Sequence, residues 1–343
     1  MKNKYTKLML VGLSVFLLSG CTKQLTDEIK KVVRYDSAII CNSCKNDCES
    51  KKDTDLYEVC VKECNSKCED VKKNETGQNL TKNILCKPTD KNVLEIYKKY
   101  GVDVDKLSSC DEFSLFSSYE GLWASLFVKP LAWLIIRVGM LFNNYGFALV
   151  LISVLIRLCL MPLTKKTAMQ SENIKKAQPE IDRINKKYEG KNDQDSQLKK
   201  SQETLLVYQK YNINPMSSCL FALIQIPLLF AFIEAINRTP AIFEGSFLGL
   251  HLGITPWIAL KNGEWWYLIL VAILAVVTYF SFNLNKGAGA PGDDTQKQMD
   301  TMSKFMMVFI VYASFTMSTA ICMYWISSSA FTIYQNLLVK RVK

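Results

Sequence analysis

Residues 145–163 read YGFALVLISVLIRLCLMPL, 19 residues in which Arg157 carries the single charge. At about 1.5 Å of rise per residue such a helix crosses a hydrocarbon core of about 30 Å. The fold to expect is therefore one organised by a bilayer. Arg157 stands about six residues, or roughly 9 Å, from the end of the run. A centred Arg costs about 2.5 to 3.5 kcal/mol on insertion scales, so its presence needs a reason.

Working outward, residues 121–143 are rich in Trp, Leu and Ile but include Lys129, Pro130 and Arg137. Two charges in that length point to an interfacial helix lying on the membrane. On the other side, residues 165–210 contain 11 Lys or Arg and 7 acids, with helical patterning on both sides of Glu189-Gly190-Lys191-Asn192-Asp193. They read as a polar helical hairpin. A second span covers 217–236, with Gln225, Pro227 and Glu234 in it, and a third covers 265–283, opened by the aromatic belt Trp265-Trp266-Tyr267. Glu234, near the outer end of its span, reads as a solvated acid, and Pro227 as a kink. Residues 305–338 are 34 residues without a charge. As one helix they would run about 51 Å, more than ordinary tilt absorbs, so they divide into short spans at about 305–318 and 320–338. Lys286, Lys297 and Lys304 precede this pair, and Lys340, Arg341 and Lys343 follow it. The positive-inside rule puts both flanks in the cytoplasm. The expected fold is an all-α polytopic membrane protein with five spans, an outside start, a cytoplasmic hairpin and a cytoplasmic C-terminus.

Composition narrows the function. The chain has 343 residues, 49% hydrophobic and 22% charged, which excludes a disordered chain. Its one histidine, His251, excludes Ser-His-Asp triads, Cys-His pairs and multi-His zinc sites. No enzyme chemistry and no cofactor is expected. The net charge of +10 is uneven: three Lys in residues 1–21, 17 basic against 19 acidic residues in 22–120, and 22 against 13 in 121–343. That distribution suits basic flanks of membrane spans and not a nucleic-acid-binding domain.

Lys2, Lys4 and Lys7 precede the short apolar run 8–18 and then Ser19-Gly20-Cys21. This is the order of a secretory signal, and Leu18-Ser19-Gly20-Cys21 resembles a bacterial lipobox. Residues 1–20 are then a cleaved signal peptide and the Cys21 sulfur carries lipid, an anchor that does not span. An uncleaved signal anchor is the competing reading.

Residues 21–120 form an extracytoplasmic Cys-rich region. Cys41, Cys44 and Cys48, and again Cys60, Cys64 and Cys68, recur at three- or four-residue steps, each triplet on one face of a helix. With a turn over residues 49–55, the two helices would fold antiparallel and pair Cys48 with Cys60, Cys44 with Cys64 and Cys41 with Cys68. Cys86 and Cys110 pair by elimination. Eight cysteines permit 105 connectivities. A thiolate metal site built on Cys41-x-x-Cys44 competes, though secretion favours disulfides.

The order of features in residues 121–343 resembles a YidC-type membrane protein insertase. The resemblance is carried by Val128-Lys129-Pro130-Leu131-Ala132-Trp133, Ile156-Arg157-Leu158, Met161-Pro162-Leu163 and Ala177-Gln178-Pro179-Glu180-Ile181. It continues through Asn214-Pro215-Met216, Cys219-Leu220, Ile224-Gln225-Ile226-Pro227, Phe247-Leu248-Gly249-Leu250, Tyr324-Trp325 and Gln335. The family usually turns between its last two spans on a Pro-Ala-Gly type sequence, where this chain has Ser318-Thr319-Ala320. Ser329 stands where the family usually has Asn, and Ser281 where it often has Gln. The Cys-rich region has no counterpart in the resemblance.

For Arg157 the residues alone leave two readings, snorkelling toward headgroups or a polar cavity. The resemblance implies the second: a water-filled groove open to cytoplasm and lipid, with Arg157, Trp325, Gln225 and Ser281 facing incoming chains. It implies nascent membrane proteins as clients, with the ribosome and the general secretion channel as partners, in a bacterial cell membrane. Met299, Met302, Met306 and Met307 recur at helical spacing and read as packing or as a slide for apolar segments. The functional alternative is a solute or anion transporter using Arg157 as its binding site, without the inverted repeat such proteins show.

Overall fold

Residues 145–163 fold as the first part of a 43-residue helix, Tyr145–Lys187, so the expected span and the first hairpin arm are one element. This computed structural model describes residues 32–34, 44, 48–73, 79–117, 119–191, 193–214, 216–284 and 293–341. The leader, Cys21 and Cys41 lie outside the described residues.

In chain order the elements are β1 (Val32–Arg34), α1 (Tyr57–Lys73), β2 (Asn79–Thr81), α2 (Lys91–Lys99), α3 (Lys129–Phe142) and α4 (Tyr145–Lys187). There follow α5 (Gln194–Lys210), α6 (Met216–Arg238), α7 (Pro240–Phe243), β3 (Ser246–Phe247), β4 (Leu250–His251), α8 (Pro256–Lys261), α9 (Tyr267–Leu284), α10 (Asp293–Ser314) and α11 (Thr319–Arg341). They divide into two compact units.

The first unit comprises the chain up to Leu149 with Phe230–Gly263 and Thr316–Ile321. Its N-terminal part builds a small core. Antiparallel β1 and β2, paired Val33 to Leu80, accompany α2, and Leu80, Ile84, Val93, Ile96, Tyr97 and Val104 are buried together. Phe243, from α7, sits in the same core. Residues 79–107 thus share their core with one residue of the C-terminal part of the chain. Burying a Phe stabilises by about 1.5 to 3 kcal/mol, enough to hold such a contact. The Cys44–Cys64, Cys48–Cys60 and Cys86–Cys110 pairs are disulfides. Cys68 is also disulfide-bonded.

In the same unit, Leu248 and Gly249 have φ of 52° and 78°, the left-handed pair that closes a two-residue β hairpin between β3 and β4. Gly146 is required nearby, since a Cβ there would stand 2.3 Å from the Phe247 Cβ. The turn at 315–318 has no Pro or Gly, and tertiary hydrogen bonds take their place. Thr319 N and Oγ1 donate to Ile254 O at 2.9 and 2.8 Å, and Ala320 N donates to Leu252 O at 2.9 Å.

The second unit comprises Val150–Leu229, Glu264–Phe315 and Cys322–Lys343. α4 and α5 form an antiparallel hairpin over buried Ile174, Ala177, Val207, Tyr208 and Ile213. Gly190, at φ 78°, turns it, and Asp193 caps α5 by accepting from Ser196 N at 2.8 Å. Glu203 accepts from Lys187 and Tyr188, and Glu180 from Lys210 and Tyr211. These hydrogen bonds hold both carboxyls below the ordinary range.

Among the described residues three helices are long and apolar enough to cross a membrane: Ala124–Phe142, Tyr145–Pro162 and Tyr267–Leu284. The first was expected to be interfacial because of its charges. Of its two charges, Lys129 is buried and lies 3.6 Å from Glu120, and Arg137 is exposed. The apolar part of α10, Lys304–Ser314, is shorter than a span.

Candidate functional site

Two clusters of buried polar groups stand out, one in each unit.

In the second unit Arg157 projects from α4 and is 4% exposed. Its Nε donates to Ser328 Oγ at 2.9 Å, and its Nη2 donates to Ser328 Oγ and to Gln225 Oε1. Among the described residues no carboxylate forms an ion pair with it. A helical seam on α11 supplies much of the polarity. Ser328, Thr332 and Gln335, at i, i+4 and i+7, are all buried, and Gln335 Nε2 donates to Thr164 Oγ1 at 2.9 Å. The seam continues on α9, where Thr278 is buried and accepts from Trp325 Nε1 at 3.0 Å. Ser281 is buried one turn further on.

Of the expected groove residues, then, Arg157 and Gln225 touch directly. Trp325 reaches the cluster's α9 side through Thr278, and Ser281 lies on the same helix as Thr278. The guanidinium is buried among these groups. Ser328 and Thr332 were missed by sequence reasoning, because lone hydroxyls in an apolar helix carry no signal until their i, i+4 register with Gln335 is read as a stripe. Of the methionines, Met306 is exposed and Met307 half-buried.

In the first unit Arg238 is fully buried at the end of α6. It pairs with Glu120 and, at 3.1 Å, with Glu234, while its Nε donates to Asn83 O at 2.7 Å. Glu234 also accepts from Trp123 Nε1 at 2.9 Å. The solvated acid expected at position 234 is therefore one corner of an ionic knot, held there because Arg238 follows it by one helical turn. Leu85 N donates to Arg238 O at 2.8 Å, fastening the N-terminal core to the same point. A second tie lies at Glu244, whose carboxylate accepts from Thr89 N at 3.1 Å and from Asp90 N at 3.3 Å. Burial raises the Glu244 carboxyl above the usual carboxylate range and nearby Asp90 adds to the rise, against the pull of those amides.

The sequence model of the family described as 60Kd inner membrane protein matches residues 137–343. The chain belongs to this family. It is 34% identical over 254 residues to the membrane protein insertase YidC of Oceanobacillus iheyensis, covering 71% of this chain and 97% of that protein. With the membrane protein insertase MisCA of Bacillus subtilis the identity is 35% over 219 residues, covering 64% and 79% respectively. A crystal structure of an active YidC insertase with its first transmembrane domain resolved aligns at 22% identity and a TM-score of 0.45, over 71% of this chain and 52% of that one. The chain thus spans about half the length of that solved protein. The family match takes in Arg157, Gln225, Ser281 and Trp325, and leaves residues 1–136, including every disulfide described above, outside it.

Proposed function

We propose that this chain is a membrane protein insertase in which the Arg157 seam receives the hydrophilic part of a client while the client's apolar helix passes into lipid. The observation that carries the reading is a buried guanidinium whose partners among the described residues are neutral. A carboxylate entering the site gains a charge-assisted bond that Ser328 and Gln225 do not supply, and it gains it in a medium where charges are weakly screened. The guanidinium stays charged at any physiological pH. Polar groups along α11 and α9 lower the cost of dehydrating the translocated segment, so that no ATP and no covalent step is needed. Nascent membrane proteins are the clients, delivered by the ribosome or the general secretion channel.

The topology that goes with this reading has five spans, α4 up to about 163, α6, α9, α10 and α11, with the helix in residues 121–143 lying in the membrane interface. The α4–α5 hairpin and the C-terminus face the cytoplasm, and the Cys-rich region lies outside behind a lipid on Cys21. A reporter fused after Lys343 is expected to behave as cytoplasmic, and its labelling from outside sealed cells would sink this arrangement.

The mechanism is tested with one client made with an acidic and with a neutralised translocated tail, inserted by the unmodified protein and by Arg157→Ala. The acidic-tailed client is expected to lose insertion in the variant, the neutral one to keep most of it, and Arg157→Lys to restore much of the loss. Equal losses for both tails would refute the attraction.

A further inference from the structure

The cysteine hairpin takes no part in that reading, yet it places four soft ligands together. We infer that in the reduced protein Cys44, Cys48, Cys60 and Cys64 form a binding site for one Zn2+ ion. In the oxidised structure the Cys44–Cys64 and Cys48–Cys60 bridges join two chain segments with Cα–Cα separations of 5.7 and 5.6 Å. Cys44 and Cys48, like Cys60 and Cys64, stand four residues apart in the sequence. The Sγ atoms of Cys44, Cys48 and Cys64 all lie within 4.8 Å of one another, and that of Cys60 is bonded to that of Cys48. A tetrahedral Zn–thiolate centre with bonds of about 2.3 Å has S···S edges of about 3.8 Å, within the span of the three grouped sulfurs, and Cys60, next to Cys48, supplies the fourth. Cys48 and Cys64 are 2% and 1% exposed, which shelters the thiolates from water and competing ligands. An all-sulfur donor set selects zinc over the hard cations Mg2+ and Ca2+.

The chemistry balances with a dithiol as reductant. Two dithiol molecules give up four electrons and four protons and become disulfides, and the two protein disulfides become four thiols. Zinc then displaces four protons, leaving a tetrathiolate centre of charge −2. Two molecules of a small disulfide reverse the sequence: they take four electrons from the thiolates and four protons from the solvent to become thiols, the two protein bridges re-form, and Zn2+ leaves. The hairpin is thus closed by metal before oxidation and by sulfur–sulfur bonds after it.

The test uses the full-length protein in detergent, reduced with a dithiol that is then removed without oxygen, and titrated with Zn2+ against a chromophoric chelator. One Zn2+ per chain is expected in the reduced protein and none in the oxidised one. Co2+ in its place should give the thiolate-to-metal absorption of a tetrahedral site. Cys48→Ser with Cys60→Ser should abolish binding, whereas Cys86→Ser with Cys110→Ser and Cys159→Ser with Cys322→Ser should leave it intact. Recovery of the Cys44–Cys64 bridge on oxidising the first pair shows that this variant still folds. Absence of stoichiometric zinc in the reduced protein overturns the inference. So does zinc retained when Cys48 and Cys60 are replaced, or equal binding by the oxidised chain.

Discussion

Arg157 and Arg238 are both buried arginines in helices of one chain, and they are kept in opposite electrostatic states. Arg238 pairs with two carboxylates, while Arg157 makes its hydrogen bonds to a serine and an amide. A buried cation with acids on two sides is neutralised and serves as a fastening. A buried cation with neutral partners keeps its field, which is what a site for passing carboxylates requires. The comparison predicts that Arg238→Met is the most damaging single change in the molecule, because it strands Glu120, Glu234 and the Asn83 carbonyl together. Breaking one side of a buried pair costs about 3 to 5 kcal/mol, and the partial exposure of both glutamates argues for the lower end. Arg157→Met should move the thermal midpoint little, since the loss of its hydrogen bonds to Ser328 and Gln225 is offset by removal of an unpaired charge, a net within about 1 kcal/mol. Thermal unfolding of the two variants side by side decides it. Similar losses in both would end the distinction.

The next effect concerns what holds the Arg238 side together. Cys86 adjoins Leu85, whose amide donates to Arg238 O, and its bridge to Cys110 closes a loop with a sequence separation of 24. Replacing both cysteines by serine should cost about 2 to 4 kcal/mol. The loss should appear as faster hydrogen exchange in residues 79–117, with exchange around Arg157 unchanged. Uniform loosening of both units would mean that the bridge supports the whole chain.

A smaller change should turn one site into the other. Gln225→Glu puts a carboxylate of the same shape against the Arg157 guanidinium, and a charge-assisted bond contributes about 1.5 to 3 kcal/mol before the cost of dehydrating the new acid. The variant is expected to be as stable as the parent or more so, yet several-fold poorer with acidic-tailed clients, which then compete with an internal acid. An insertion assay with unaltered activity would show that the charge of Arg157 is not what clients meet.

The two sites were unequally legible in the sequence. Arg157 announces itself, because one charge in 19 apolar residues is a local anomaly, and Gln225 and Trp325 stand out on the same ground. Helix existence, the break between α10 and α11 and the Cys48–Cys60 and Cys44–Cys64 pairings follow from periodicity, length and spacing, which are also local properties. The Arg238 knot was invisible. Its members Glu120, Lys129, Glu234 and Arg238 look individually like ordinary charges at helix ends, and their convergence depends on a fold that returns residues 83–85 to the end of α6. For the same reason Lys129 reads as a surface charge, whereas it is buried beside Glu120. Phe243 in the core of the N-terminal segment is a third case, a non-local contact that no window of sequence contains.

The smallest effect is a pH dependence that should appear on the Arg238 side alone. Glu244 ties α7 to the amides of Thr89 and Asp90, and burial holds its carboxyl above the usual range. The sign follows from linkage. A carboxyl whose folded pKa exceeds its unfolded value, about 4.3 for Glu, binds its proton more tightly in the folded state. Its titration therefore adds stability that is fully present below the unfolded value and is lost as pH rises through the folded one. Glu244→Gln removes that slope and also leaves one acceptor oxygen where there were two, a loss of about 0.5 to 1.5 kcal/mol for the missing hydrogen bond. The variant should accordingly look worst against the parent in acid and should recover part of the difference as pH rises toward neutrality. Thermal unfolding of both proteins across the acid-to-neutral range measures it. Because only the difference between the proteins is read, carboxylates elsewhere, including Glu120 and Glu234, cancel unless the substitution disturbs the knot. A difference that stays constant with pH would mean that the folded Glu244 titrates as a free glutamate does, and one that grows toward neutral pH would mean that the two amides outweigh burial and hold the carboxylate ionised.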